Sequence, residues 1–475
     1  MSKIHGMMDV GKRSMMNSQT ALATTGHNIA NKGTEGFSRQ RVDMQTSPAV
    51  TMGGLRIGTG SRAAEVTRTN NQFLEKQIGR EQAGLGFHES RAGSLQRVEE
   101  VFNEQNNKSL NHYTIEFFNS FREFANNPES LATRTQVKES SEALTREFRR
   151  VSQALKDIQV DIDNQIKTNV EDINLMSKEI ASLNEKISSI EIDTRVKAND
   201  ERDRRDLLLK KLGEKVNIRW TEGREGSVTI TAGNSALLVA GFEAKRLEAT
   251  PTAESEKKNE SNVEVFYLNS DRSEPVNITP QLSGGALGGL LEVRDRVING
   301  LLGRVDELAV GIATEVNDVH RQGVDAYNQR GTDFFDLSGP VRHSADRIRL
   351  NEAVAKDVAR IANAGAFDAP GDNRIANRIQ SLQYEKILAG DTASFDEFYN
   401  SMVGEIGVQS KRATSAFNSQ KDIVKQLSNI RESISGVSLD EETTKMIEYQ
   451  KAFDASARLI RTADEMFDTV LAMKR

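Results

Sequence analysis

Few side chains in this sequence are placed to do chemistry. Six histidines, His5, His27, His88, His112, His320 and His343, are scattered without the short spacings by which metal sites gather their ligands. Cysteine is absent, which removes thiolate nucleophiles, thiolate metal sites and disulfides together. The glycine run Gly284-Gly285, Gly288-Gly289 lacks the lysine that follows a phosphate-cradling loop, and it reads as a turn opening a helix. No nucleotide fingerprint or nucleophile elbow occurs. Asp440-Glu441-Glu442 could be drawn as an acid-base device, but these carboxylates stand just before an apolar stripe, where negative charge favours a helix start. Met7, Met8, Met15 and Met16 fit a helix packing on identical neighbours. The mixed charges over 195–206 read as a solvated face. The expectation is no catalytic residue, no cofactor, no metal and no enzymatic activity.

What remains is the pattern of the elements. Of 475 residues 37% are hydrophobic and 28% charged, the balance of long helices that each bury one stripe. The net charge of -6 has both signs interspersed, so no basic block offers itself to nucleic acid or to an anionic membrane. Residues 1–30 hold no apolar run of secretory-signal length, and no membrane-spanning run follows. Export would need a route that reads an uncleaved amino terminus.

Small or apolar residues recur at Ile4, Met8, Gly11, Met15, Ser18, Leu22, Thr25 and Ile29, in alternating steps of four and three that mark one coiled-coil-like helix face. The same rhythm closes the chain at Met446, Phe453, Ile460 and Phe467, flanked by Tyr449, Ala457, Ala463 and Leu471. A connector follows Asn31, with short extended pieces around Gly53-Gly54. Helices are predicted from Phe73 to Phe102, and from Leu110 to the stop at Asn126-Asn127-Pro128. From Leu144 to Ile190 a proline-free stripe predicts a rod; about 60 residues would extend ~90 Å.

Alternation at Val216, Ile218 and Trp220, a turn at Gly223 and Gly226, and the run 228–231 predict a hairpin that opens a small β domain. Ala253 to Asn262 reads as a polar loop. The expected fold is mainly α, an elongated rod of long helices with an inserted β domain. Its segments are 1–31, an amino-terminal assembly helix; 32–212, connector and rod; 213–283, the β domain; 284–320, a helical return; 321–394, a mixed segment that could add strands to the β domain; and 395–475, a second return ending in the carboxy-terminal assembly helix.

The run Asn28-Ile29-Ala30-Asn31-Lys32-Gly33-Thr34-Glu35-Gly36-Phe37-Ser38-Arg39-Gln40 resembles the signature of the flagellar axial proteins, and its Ser-Arg-Gln ending resembles the hook-associated members. Phe37 stands where that pattern more often has tyrosine. Similar blocks are 203–217, 283–335 (with Val-Asn-Asp-Val-His-Arg-Gln-Gly and Gly-Thr-Asp-Phe-Phe), and the ending through Tyr449-Gln450-Lys451-Ala452-Phe453 and Thr462-Ala463-Asp464-Glu465-Met466-Phe467-Asp468.

The resemblance implies a structural subunit of the bacterial flagellum that joins hook to filament outside the cell, exported by the type III apparatus. Implied partners are further copies of the chain, hook protein, a second junction protein on the filament side, and a cytosolic export chaperone on the last helix. Other readings are a hook or distal-rod subunit and a cytosolic coiled-coil binding protein; an enzyme embedded in the β domain is disfavoured because no catalytic constellation lies within 213–283.

The expected assembly interface is Ile4, Met8, Gly11, Met15, Leu22 and Ile29 with Met446, Tyr449, Phe453, Ala457, Ile460, Phe467 and Leu471. Asn28, Ala30, Asn31, Thr34, Gly36, Phe37, Ser38, Arg39 and Gln40 form the signature. Gly33 and Gly36 are expected to permit positive φ, Thr34 and Ser38 to bond nearby backbone, and Arg39 and Arg41 to reach a neighbouring subunit or stay solvated. With no partner for either terminal stripe evident in the sequence, both ends are expected to order only on assembly. Two ends locked into a private pair would argue against a tube-forming role.

Overall fold

The rod is the longest consequence of local pattern. α4 (Leu131–Ile190) runs for 60 residues, on the order of 90 Å. Its face of Val137, Leu144, Phe148, Val151, Leu155, Ile162, Ile166, Ile173, Ile180 and Ile187 is buried along the whole length. In the computed structural model the described residues are 2–52, 55–102, 109–193, 196–223, 225–251, 263–268, 274–337 and 339–473. The expected turn at Gly53-Gly54, the loop from Ala253 to Asn262 and Arg195 lie outside them.

Ahead of the rod come α1 (Ser2–Ala30), β1 (Gln40–Thr46), β2 (Val50–Met52), β3 (Leu55–Ile57), β4 (Ser61–Arg68), α2 (Gln72–Val101) and α3 (Leu110–Asn126). β1 pairs antiparallel with β4, and the β2–β3 hairpin lies between them in the chain. After the rod, α5 (Asn199–Lys215) leads to β5 (Ile218–Glu222), β6 (Val228–Ala232), β7 (Ala236–Ala240) and β8 (Glu243–Ala244), an antiparallel sheet in chain order. The β5–β6 turn contains Gly226 at φ 74°. β9 (Arg246–Pro251), β10 (Val263–Leu268) and β11 (Val276–Asn277) form a second sheet.

α6 (Gly285–Glu292) and α7 (Asn299–Gln322) are joined by a π-helical stretch, Val293–Ile298. Gly285 has φ 67°, and a Cβ on Gly289 would stand 2.4 Å from the Phe87 carbonyl oxygen. The glycine run therefore opens a helix and also lets that helix press onto α2.

Short elements follow: β12 (Phe335–Asp336), α8 (Ser344–Arg347), β13 (Arg349–Leu350), α9 (Glu352–Lys356), α10 (Arg374–Ser381) and the turn α11 (Leu388–Asp391). β12 and β13 pair with each other and join neither sheet of the insert. The reading of 321–394 as extra strands of the β domain is thereby corrected: this segment folds against α3, α4 and α7. Its anchor is aromatic. Phe334 and Phe335 enter a cluster with Phe117, Phe118, Phe121 and Phe395, all at most 1% exposed.

α12 (Phe395–Ser435) starts with a capping box between Ser394 and Glu397, and α13 (Leu439–Ala472) ends the described chain. One hydrophobic core runs from Ala92 to Ala413, and among the described residues it takes in no side chain of α1 or α13. No described helix is long and apolar enough to cross a membrane.

Helical asparagines hold the irregular parts to the rod. Asn174 and Asn184 of α4 each bond both backbone groups of one strand residue, Leu247 (2.8 and 2.8 Å) and Val228 (2.9 and 3.1 Å). Asn317 of α7 does the same to Phe335, at 2.9 and 2.8 Å. An amide carries donor and acceptor on one planar group, so it can bond both backbone groups of a strand residue where no neighbouring strand reaches.

Candidate functional site

The two chain ends find each other. His5 and Phe467 have ring centroids 5.4 Å apart, Ser14 and Ser456 hydroxyls meet at 2.7 Å, and the Asn28 amide donates to Glu442 at 2.9 Å. A Cβ on Gly11 would come within 2.7 Å of the Ile460 side chain. Position numbers fall along one helix as they rise along the other, so α1 and α13 are antiparallel. This corrects the expectation that neither end has a partner within the chain: each is the other's partner. Glycine and serine at the crossings allow the approach, and a pattern of large residues does not reveal it.

The pair is nevertheless thin. The buried residues of α13 are Glu442, Ser456 and Ala463. On α1 they are Gly11, Asn17, Ser18, Ala21, Thr25 and Asn28, mostly small or polar. The large side chains of the predicted interface, Ile4, Met8, Met15, Leu22, Ile29, Met446, Tyr449, Phe453, Ile460 and Phe467, together with Ala457, are half-buried, and Leu471 is exposed. Ile447 at 58% and Met16 at 58% stand further out. The private pair forms, but it leaves apolar surface on both helices.

The signature is the knot that ties this pair to the body. Asn28 bonds the Gln40 backbone twice, donating to its carbonyl at 2.8 Å and accepting from its amide at 3.0 Å, the same clamp used by the asparagines of α4 and α7. Asn31 caps α1 by donating to the His27 carbonyl at 3.1 Å. Gly36 takes φ 84° against Leu207. Gly33 is not in the positive-φ region, so only one of the two glycines makes the turn. Thr34 bonds the Asn31 side chain rather than backbone, at 3.2 Å. Ala30 is exposed, and the half-buried Phe37 ring lies 5.5 Å from that of His27.

Ser38 donates its amide to Asp203 at 2.7 Å, and its hydroxyl accepts from Arg431 at 3.3 Å. The Gln40 side chain donates to Asp200 at 2.7 Å. Arg39 is neither solvated nor free for a neighbour: it pairs with Glu442 at 2.8 Å and Glu441 at 2.7 Å in its own chain. Arg41 is exposed and pairs with Asp43 at 3.1 Å. Glu442, 1% exposed, thus accepts from both Asn28 and Arg39, so the acidic start of α13 is a structural receptor as well as a helix start.

Arg431 also donates to the Gly36 carbonyl at 3.0 Å and to Glu75 at 2.8 Å, and Lys210 pairs with the same carboxylate. Burial works to raise the Glu75 carboxyl, yet Lys210 and Arg431 outweigh it and hold it below the usual carboxylate range. Arg68 bridges Asp203 at 2.6 Å and Asp206 at 3.0 Å. Sequence reasoning missed Asp203, Arg431 and the receptor role of Glu442. The signal for Asp203 was its place in the 203–217 block; nothing local marks Arg431. No group of described His, Asp or Glu side chains is arranged to hold a metal ion.

Two sequence-family profiles match: the "Flagellar hook-associated protein FlgK helical domain" over residues 95–335, and the "Flagellar basal body rod FlgEFG protein C-terminal" over residues 432–473. Flagellar hook-associated protein 1 of Bacillus subtilis is 27% identical, with 98% of this chain and 97% of that protein aligned. Its Escherichia coli counterpart is 25% identical over 96% and 97%. The solved hook junction protein FlgK of Burkholderia pseudomallei superposes with TM-score 0.69 at 14% identity, covering 76% of this chain and all of that one, a likeness of fold.

Proposed function

The chain belongs to the family of the flagellar hook-associated protein FlgK, and we propose that its work is structural: it joins hook to filament as a self-assembling layer and catalyses nothing. The observation that carries this reading is the terminal pair, ordered by the signature knot yet leaving large apolar side chains half-covered on both helices. Neighbouring copies around a common axis would cover that surface, which is where burial still has free energy to give.

The interface is Ile4, Met8, Met15, Leu22 and Ile29 with Met446, Tyr449, Phe453, Ile460, Phe467 and Leu471, backed by the small residues Gly11 and Ala457. Hook protein lies on one side of the layer and a second junction protein on the filament side. The chain travels to the extracellular flagellum by type III export, with a cytosolic chaperone covering the exposed residues of α13 beforehand.

Replacing Phe453 and Ile460 by Asp places charge in the shared surface and abolishes incorporation into isolated hooks while the central core melts unchanged. Ile460 also touches Gly11, so Ile447→Asp with Met466→Asp separates contact between copies from the private pair. Normal incorporation of both double variants rejects the interface. A gene deletion leaves completed hooks without filaments and filament subunit in the medium; full-length filaments in that strain reject the junction role.

A further inference from the structure

Between α2, α5 and the β5–β6 hairpin lies a cleft of about 850 Å³. Eight basic and four acidic side chains line it, in a chain whose 69 acidic residues outnumber its 63 basic ones. The acids of the cleft are already engaged. Glu191 holds Arg202 at 2.7 Å, Glu222 holds Arg202 at 2.7 Å and Arg205 at 3.0 Å, Asp206 holds Arg68 at 3.0 Å, and Glu75 holds Lys210 and Arg431. Lys76, Arg80 and Arg219 remain, exposed and without an ion pair to any described carboxylate, while Lys197 acts only on Glu191, which Arg202 already holds.

Trp220, the only tryptophan of the chain, forms part of the wall with the Lys76 ammonium 5.3 Å from its ring centroid. Arg205, 1% exposed, leaves its Nε without a partner, and Asn70 and Asn217 leave amide oxygens buried and unpaired on the same walls. These atoms lie beneath the cleft surface, and what the cleft presents to a ligand is the exposed Lys76, Arg80 and Arg219 beside the half-buried Trp220 ring. Cations spread along a wall that includes an indole face match an acidic polypeptide, which brings several carboxylates on a chain that can lie against the ring; a simple anion meets the charge alone.

We propose that this cleft receives an acidic segment of a second copy of the chain, so that neighbours in the layer are locked by charge as well as by their terminal helices. The inference rests on the self-assembly reading above. Two observations select a second copy: the acidic excess lies outside the cleft, so copies are complementary to one another; and the cleft adjoins the knot, sharing Arg68 and Glu75 with it.

The chain has no cysteine, so Gln72→Cys, at the cleft edge, can carry a single benzophenone maleimide. Hooks bearing the labelled chain are irradiated, and a crosslinked dimer of the chain is the expected product. Incorporation is scored first without irradiation: failure there overturns the junction reading and this inference together. Incorporated chain that gives no crosslink, or a crosslink to a different protein, overturns the cleft assignment alone. Adding Lys76→Glu, Arg80→Glu and Arg219→Glu lowers dimer yield at least tenfold with an unchanged melting temperature, and an unchanged yield overturns it. Trp220 emission of the purified chain shifts with poly-glutamate and not with inorganic phosphate; an equal response to both sinks the polypeptide assignment.

Discussion

The phenylalanine cluster and the terminal helix pair are both made of helices with apolar stripes, yet they are packed to opposite standards. Phe117, Phe118, Phe121, Phe334 and Phe395 are at most 1% exposed and bring together rings from three separate segments. On α1 and α13 the residues that are fully covered are small or polar, and the large ones are left half in solvent. A finished core has no surface left to share. A pair closed on its small residues keeps its large ones available, which is what a subunit needs if its ends are ordered in the chain and completed by neighbours.

The contrast breaks most visibly in the core. Phe117→Ala removes a fully buried ring and is expected to cost about 3–5 kcal/mol in denaturant unfolding; a cost below about 1 kcal/mol would put the two regions on equal footing. Acid discriminates between them next. His320 is completely buried, its Nδ1 donating to the Thr332 carbonyl at 2.6 Å and its Nε2 accepting the Ala362 amide at 2.9 Å, and burial pushes its pKa down to about 4. The folded value lies below that of the unfolded chain, about 6.5, so the unfolded chain takes the proton first as pH falls. The stability is complete above about pH 6.5 and is lost progressively toward pH 4, by about 3 kcal/mol in all. His320→Gln should flatten that limb of the stability–pH curve, and a limb of unchanged depth would show that another group sets it.

Glu442→Ala removes the buried acceptor that Arg39 and Asn28 share, leaving Arg39 only Glu441 and Asn28 only the Gln40 backbone, a local cost of about 1–3 kcal/mol. Hydrogen exchange should quicken in α1 and α13 and stay unchanged in α4; equal quickening in both would mean that the ends are not a separate unit. The smallest effect sharpens the comparison furthest: Ile447→Ser with Met466→Ser should move the monomer's unfolding free energy by no more than about 0.5 kcal/mol, because both side chains already stand in solvent.

Much of this was legible before any coordinates, and unevenly so. The rod, the stop after Asn126 and the β5–β6 hairpin follow from hydrophobic period, proline placement and turn glycines, which act over a few residues. The segment 321–394 is not legible as part of the helical body because its short apolar runs serve an aromatic core assembled from α3, α12 and the His320 ring of α7. The four clamping asparagines, Asn28, Asn174, Asn184 and Asn317, are indistinguishable in sequence from solvated ones: nothing local says that a strand with free backbone groups will pass alongside.

By itself, the sequence determined the helices and their stripes, the site of the β insert and, through the run from Asn28 to Gln40, the family to look for. Such features depend on periodicity and on residues close together in the chain, where geometry is dictated by the backbone. Only the tertiary structure decided that Glu442 receives Asn28 and Arg39 from some 400 residues away, that Gly11 admits Ile460, and that the ends pair through their small residues. Those outcomes depend on which surfaces remain after the core has closed, and that is a property of the whole chain in three dimensions.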